Sequence, residues 1–398
     1  MTTLSEPPLP EPLVAYGKIR AGERTRLFQR SRSFLFKSSG RVRGETQLYN
    51  CYQLCSSGKQ VLALSKQLLT PKLNRKPRFI YSNETFNIRL KAYNSKSDQT
   101  IMRQIVNTAD GGTEVLKVQE VADPKPASHE LLINVKASGL NFADILARKG
   151  IYPDAPSKPC VVGYEVAGEV EAVGDKLDPQ WQGKKVLAFT RFKGQSEKVV
   201  VREPQVVKMP EKLSYEQAAA IPVNYLTAWM LLVVMGSLQR YESVLIHNAG
   251  GGVGLAALDI AKHIGARTFG TASSRKHEFL KKRGLDHPID YRNKDWCDVL
   301  MQLTEEKGVE LIIDPLGGKE WKRSFKALRS TGRLGMFGVS TASENQGVLA
   351  QLGMLKLLAQ MPIFQPLSLL SRNKGVFGVN LGHLWHEGEK VGFWIEDL

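Results

Sequence analysis

Residues 243–274 read SVLIHNAGGGVGLAALDIAKHIGARTFGTASS. Val244, Leu245 and Ile246 form a short apolar strand, and a glycine loop, 249–254, follows it. Leu255, Ala256, Leu258, Ile260 and Ala261 then supply one apolar side of a helix, and 267–270 begin a second strand. Strand, loop, helix and strand in this order leave free backbone N–H groups at the positive end of a helix, where a dinucleotide pyrophosphate binds. The pattern is A-x-G-x-x-G, with Ala249 in place of the first glycine. Ala249, Gly251, Gly252, Val253 and Gly254 are therefore candidate cofactor residues. Gly251 admits the phosphates, and Gly254 lets helix pack on strand. A unit that keeps this shape and binds nothing is the competing reading.

The end of the second strand sets the type of cofactor. An NAD site needs a carboxylate there for the ribose 2′-hydroxyl. This chain offers Ser273, Ser274, Arg275 and Lys276, and no acid before Glu278. Hydroxyls and cations suit a 2′-phosphate, so NADP(H) is favoured over NAD(H). Solvated charges at a helix start are the alternative.

Downstream, 288–291 close a third strand, and 309–318 (VELIIDPLGG), 332–340 (GRLGMFGVS) and 375–382 (GVFGVNLG) read as the fourth to sixth. The fold class is α/β, with a six-stranded doubly wound Rossmann domain over 226–382. Upstream, 101–225 hold short strands at close spacing, a compact β-rich domain. Within it 161–174 read as a twisted strand pair or one long bent strand. Asn141 is placed to cap a helix over 141–149, and Asp144 and Arg148 share a face of it as a structural ion pair. Ser214 and Gln217 make a capping box. Pro222 interrupts the run that follows, and the next helix starts at Asn224 or Thr227.

The chain has 398 residues, 42% of them hydrophobic and 24% charged, enough for sizeable cores. Its formal charge of +16 divides as +12 over residues 1–100 and +4 over the rest. Residues 1–100 thus read as a basic, flexible extension, with some helical character at 48–70; anionic membranes are a better partner for it than nucleic acid. Cys51, Cys55, Cys160 and Cys297 make neither a disulfide scaffold nor a zinc finger. No run of uncharged apolar residues is long enough to span a membrane, and the first ten residues do not resemble a signal peptide.

SGLNFADILARKGIYP (138–153), VVGYEVAGEVEAVGD (161–175), NYLTAW (224–229), HNAGGGVG (247–254), HPIDY (287–291), DPLGG (314–318) and LSRNKGVFGVNLGHL (370–384) together resemble the medium-chain dehydrogenase/reductase superfamily. The resemblance is to its zinc-free quinone oxidoreductase branch, and nearest to the vesicle amine transport protein 1 (VAT-1) group. It implies a GroES-like catalytic domain over 101–225 and NADPH-dependent reduction of a quinone, or of an activated alkene or enone carbonyl compound. It places cofactor contacts on Thr227, the 249–254 loop, Ser274, Lys276 and Tyr291. Cleft residues fall on Asn141, Asp144, Arg148 and Tyr152, with Asn141, Asp144 and Tyr152 as the catalytic set. Asn141 is suited to bond an acceptor carbonyl, and Tyr152 to donate a proton or stack.

The same resemblance implies a homodimer through 375–382 and a cytoplasmic protein that also sits peripherally on vesicle or mitochondrial outer membranes. Zinc relatives carry Gly-His-Glu where this chain has Gly163-Tyr164-Glu165, and a cysteine near 140 where it has Leu140, so no metal is expected. Residues 383–398 supply only the start of the family's usual return to the catalytic domain, which implies an incomplete cleft and impaired turnover. A peripheral membrane or scaffold protein that binds NADPH with little or no turnover is the alternative function.

Overall fold

The computed structural model describes residues 100–340 and 356–398. The expectations for the basic extension, for 48–70 and for Cys51 and Cys55 lie outside the described residues. Strands β1 (Ile101–Asn107) and β2 (Leu116–Ala122) pair as an antiparallel hairpin. Strands β3 (Glu130–Ser138), β4 (Glu165–Val173), β5 (Lys185–Phe189), β6 (Lys198–Arg202) and β7 (Val206–Lys208) form an antiparallel sheet in the order β6-β3-β4-β5-β7. Leu131, Ile133, Val166, Val170 and Val186 pack as its core. Residues 161–174 contribute one bent strand, not a pair. Its register against β3 shifts between Leu132 and Ile133 and again between Val135 and Ala137, and such irregularities bend a strand.

Helix α1 (Phe142–Arg148) connects β3 to β4, and α2 (Tyr215–Ala219) opens on the expected Ser214 and Gln217 capping box. Helix α3 spans Pro222–Trp229 and begins at Pro222 itself, ahead of the expected Asn224 or Thr227. Proline has no N–H to donate and a helical φ, so the first helical position suits it.

The second sheet is parallel, with β8 (Ser243–Ile246), β9 (Arg267–Ala272), β10 (His287–Asp290), β11 (Val309–Asp314), β12 (Leu328–Met336) and β13 (Gly375–Gly378) in the order β10-β9-β8-β11-β12-β13. This is the doubly wound arrangement. Helix α4 (Gly252–Ile264) joins β8 to β9, and α5 (His277–Lys282), α6 (Trp296–Leu303), α7 (Lys319–Lys326) and α8 (Pro366–Arg372) follow among the described residues. The fifth strand starts earlier than expected. The sixth ends at Gly378, because Asn380 turns the chain and its side chain accepts the Gly382 N–H at 2.9 Å.

Helix α9 (Gly388–Asp397) buries Val391 and Ile395 and packs on β7, on α3 and on the turn Glu203–Gln205. Residues 383–398 therefore run back onto the β-rich lobe. Tyr164, Leu187 and Phe189 of that lobe share one hydrophobic core with Leu226, Val244 and Ile246. Glycine-rich α4 and the mouth of the β-rich lobe are thus held on one continuous body.

Candidate functional site

The cofactor half of the site follows from the glycine loop. Asn248 takes a left-handed φ of 53° as β8 ends, and its N–H donates to Thr271 Oγ1 at 3.1 Å. Gly251 is the N-cap of α4, and no side chain caps that helix. Its first N–H groups are therefore left for a ligand. A Cβ on Gly254 would overlap the Asn248 carbonyl and come within 2.7 Å of Ala249 Cα, so the close packing expected of Gly254 is real. On Gly252, at the start of α4, a Cβ would overlap the Asn224 amide of α3. Ala249 is fully buried, Val253 half-buried and Thr227 only 8% exposed.

At the end of β9, Ser274 and Arg275 are exposed, and the Lys276 ammonium donates to the Gly250 carbonyl at 2.8 Å. Tyr291 is half exposed beneath the Arg292 guanidinium, 5.9 Å from its ring centre. The nearby carboxylate, Asp290, accepts from the Arg292 N–H at 3.1 Å and Asn293 Nδ2 at 2.7 Å. These bonds, with one from Ser274, hold it below the usual range. An uncapped glycine-lined helix start beside exposed Ser274 and Arg275 fits NADP(H).

A second region gathers residues far apart in sequence. A cleft of about 770 Å³ is lined by Tyr152, Asp154, Tyr164, Arg191, Phe192 and Trp385, with Gly382, His383 and His386. Asp154 binds His383 Nε2 at 2.9 Å and Asn380 Nδ2 at 3.2 Å, which ties the loop after α1 to the segment after β13. Phe192 and Lys193 both have positive φ, 72° and 62°, and this turn sets the Phe192 ring 5.3 Å from that of Tyr164. Such conformations concentrate where function requires them. Tyr152 meets Tyr164 edge-on at 6.2 Å. Burial raises both phenols, so both stay neutral and can donate. The Tyr164 hydroxyl lies beside that of Tyr152 but is buried without hydrogen-bond geometry to any partner.

Asn141, Asp144 and Glu165 are not among the residues lining this cleft and form a buried network of their own. The expected pair of Asp144 with Arg148 does not form. Asp144 is 3% exposed, and its oxygens accept the N–H groups of Asn141 at 2.8 Å and Gly163 at 2.9 Å. It occupies the third helical position, where a carboxylate turns back to the helix start instead of outward to Arg148. Burial pushes it up to about 6, against the pull of those N–H groups. Asn141, at the N-cap, donates through Nδ2 to Glu165 Oε1 at 2.7 Å. Glu165 is 1% exposed, and burial pushes it up to about 7.

Sequence reasoning used Glu165 only to contrast this chain with zinc relatives. Its signal was a carboxylate inside the apolar run VVGYEVAG. Phe192 and Trp385 had no local signal at all. His247 is buried between Thr271 Oγ1 and Ser324 Oγ, 3.2 Å from each. Among the described residues no group of three or more His, Cys, Asp or Glu side chains is placed to hold a metal.

Residues 127–228 match the family model for the alcohol dehydrogenase GroES-like domain, and 252–396 match that for zinc-binding dehydrogenase. The synaptic vesicle membrane protein VAT-1 homolog of Danio rerio is 39% identical over 74% of this chain, which spans 61% of that relative's length. The crystal structure of the human VAT-1 homolog-like protein is 31% identical, with a TM-score of 0.63 over 75% of this chain and 84% of that one. Escherichia coli quinone oxidoreductase complexed with NADPH is 28% identical, with a TM-score of 0.64 over 74% and 86%. With these likenesses and the geometry above, the chain belongs to the medium-chain dehydrogenase/reductase superfamily, among the VAT-1 homologues and quinone oxidoreductases.

Proposed function

We propose that this chain is an NADPH-dependent oxidoreductase that passes a hydride to a quinone or an activated alkene and uses no zinc. The observation that carries this reading is the uncapped glycine start of α4 beside Ser274, Arg275 and Lys276, with no free carboxylate at the end of β9. Bound there, NADPH supplies the hydride. The N–H groups of Gly252, Val253 and Gly254 at the start of α4 would take the pyrophosphate, while Gly251, whose own N–H donates to the Asn248 carbonyl at 2.9 Å, lets the phosphates approach. Ser274, Arg275 and Tyr291 hold the 2′-phosphate, and Lys276 exchanges the Gly250 carbonyl for it.

On the acceptor side the aromatic wall excludes water and stacks on a flat acceptor, while the neutral Tyr152 phenol donates to its oxygen. Asn141 bonds the acceptor carbonyl with the N–H that Glu165 leaves free. Asp144 acts on the scaffold, holding the backbones of Asn141 and Gly163. A homodimer through the edge of β13 and a cytoplasmic location belong to the same reading.

The vesicle-membrane name of the relatives favours a second reading, a peripheral membrane protein that binds NADPH with little turnover. No helix among the described residues is long and apolar enough to cross a membrane. Titration with NADPH and NADH, followed by nicotinamide fluorescence, tests the main reading. NADPH should bind more tightly, and Lys276→Ala should weaken NADPH about tenfold while leaving NADH nearly unchanged. Equal affinities for the two cofactors would sink the assignment, and NADPH binding without reduction of any quinone would favour the second reading.

A further inference from the structure

Glu165 touches three elements that the cleft depends on. Its Oε1 accepts Asn141 Nδ2 from the start of α1, and its Oε2 accepts the Val223 N–H from the first turn of α3, both at 2.7 Å. A Cβ on Gly139, at the end of β3, would overlap the carboxylate, so the chain leaves that position open for it. The next residue after Val223 is Asn224, whose amide abuts Gly252 at the start of α4. An unbroken line of contacts therefore runs from the acceptor-side amide to the glycine loop, and Glu165 is its middle link.

We propose that Glu165 is a positioning residue: its carboxylate fixes the Asn141 amide that meets the acceptor, and locks it to the helix that abuts the cofactor loop. The proposal rests on the oxidoreductase reading for what the cleft binds. Ionised, Glu165 has acceptor sites for both N–H groups. Protonated, one oxygen becomes a donor and the Asn141 amide loses its anchor. Asp144 on α1 is the charged group that acts on Glu165. On the other sides Ser138 ends β3 and Gly139 follows it, α3 presents Val223 and Asn224, and the residue before β4 is the neutral Tyr164. Burial sets the transition near neutrality, at about 7. The Asn141 anchor is thus made as pH rises through that range and lost as it falls.

Glu165→Gln mimics the protonated form. Its amide oxygen still accepts the Val223 N–H, but its NH₂ opposes the Asn141 NH₂, donor against donor. The test is the affinity of the full chain, with NADP⁺ bound, for menadione, read by quenching of Trp385 and the other tryptophans. In the wild type, menadione affinity should rise about tenfold between pH 6 and pH 8. In Glu165→Gln it should stay flat at the weak value. NADP⁺ affinity should change less than about threefold, because the Val223 bond survives. Asn141→Ala should match Glu165→Gln, and the double variant should be no weaker than either single one. A pH profile that persists in Glu165→Gln, or two additive losses, overturns the proposal. Turnover of menadione with NADPH is assayed beside it. Its absence would count against the oxidoreductase reading and leave the affinity comparison to judge Glu165.

Discussion

The glycine loop and the aromatic cleft are assembled in opposite ways. The loop, its strand and its helix come from one continuous stretch, residues 243–264, and each part follows from local rules. The cleft draws Tyr152 from the loop after α1, Tyr164 from the residue before β4, Phe192 from a positive-φ turn and Trp385 from beyond β13, and the carboxylate network of Asn141 and Glu165 joins α1 to β4. Only tertiary packing brings these together. In the loop a substitution acts through backbone overlap, whereas in the cleft it acts through buried charge and unpaired polar atoms.

The largest expected effect tests the backbone side of that contrast. Gly254→Val places a side chain against the Asn248 carbonyl and Ala249 Cα, neither of which can move without shifting β8 from α4. It should cost about 3 kcal/mol in urea unfolding and abolish NADPH binding by nicotinamide fluorescence. Gly250→Ala is the matched control. Its Cβ would meet Lys276 Cδ at 2.6 Å, the middle of a flexible side chain. That change should cost under about 1 kcal/mol. Equal losses in the two variants would show that the loop is not held by close backbone approach.

The same difference explains what the sequence disclosed. The six parallel strands, the glycine loop and the Ser214 capping box were legible because each rests on neighbours a few residues away. The Asp144–Arg148 pair was misread because i,i+4 spacing is blind to burial, and Asp144 faces inward to two backbone N–H groups. The end of β13 was placed too late because Asn380 turns the chain with a side-chain bond that apolar patterning does not encode. Glu165 was visible as an odd carboxylate in an apolar run, but its partners lie 24 and 58 residues away.

A second effect belongs to the buried charges. The folded-state pKa of Glu165 is raised to about 7 and that of Asp144 to about 6, both chiefly by burial. Raised carboxyls contribute stability that is full below their unfolded values and is lost as pH rises through the folded ones. His247 acts in the opposite sense, since burial lowers its pKa and stability falls as it is forced to charge. The comparison of wild type with Glu165→Gln cancels His247. Between pH 8 and pH 5 the wild type should gain about 2–3 kcal/mol relative to the variant in urea unfolding. A constant difference across that window would mean that Glu165 is already neutral, or well hydrated, throughout.

The smallest effect is also the most discriminating for the cleft, and it concerns Tyr164. Its ring is packed between Tyr152 and Phe192, while its hydroxyl is buried without a partner. A buried hydroxyl that has left water and found no acceptor destabilises the fold, so Tyr164→Phe should raise stability by about 1 kcal/mol. Tyr152 is half-buried and its phenol keeps contact with the open cleft, so Tyr152→Phe should leave stability nearly unchanged. The two variants therefore separate neighbouring phenols by burial alone. If Tyr164→Phe lowers stability instead, its hydroxyl has a partner, with Tyr152 the nearest. The cleft would then contain a hydrogen-bonded phenol pair, and removing either hydroxyl should cost the same.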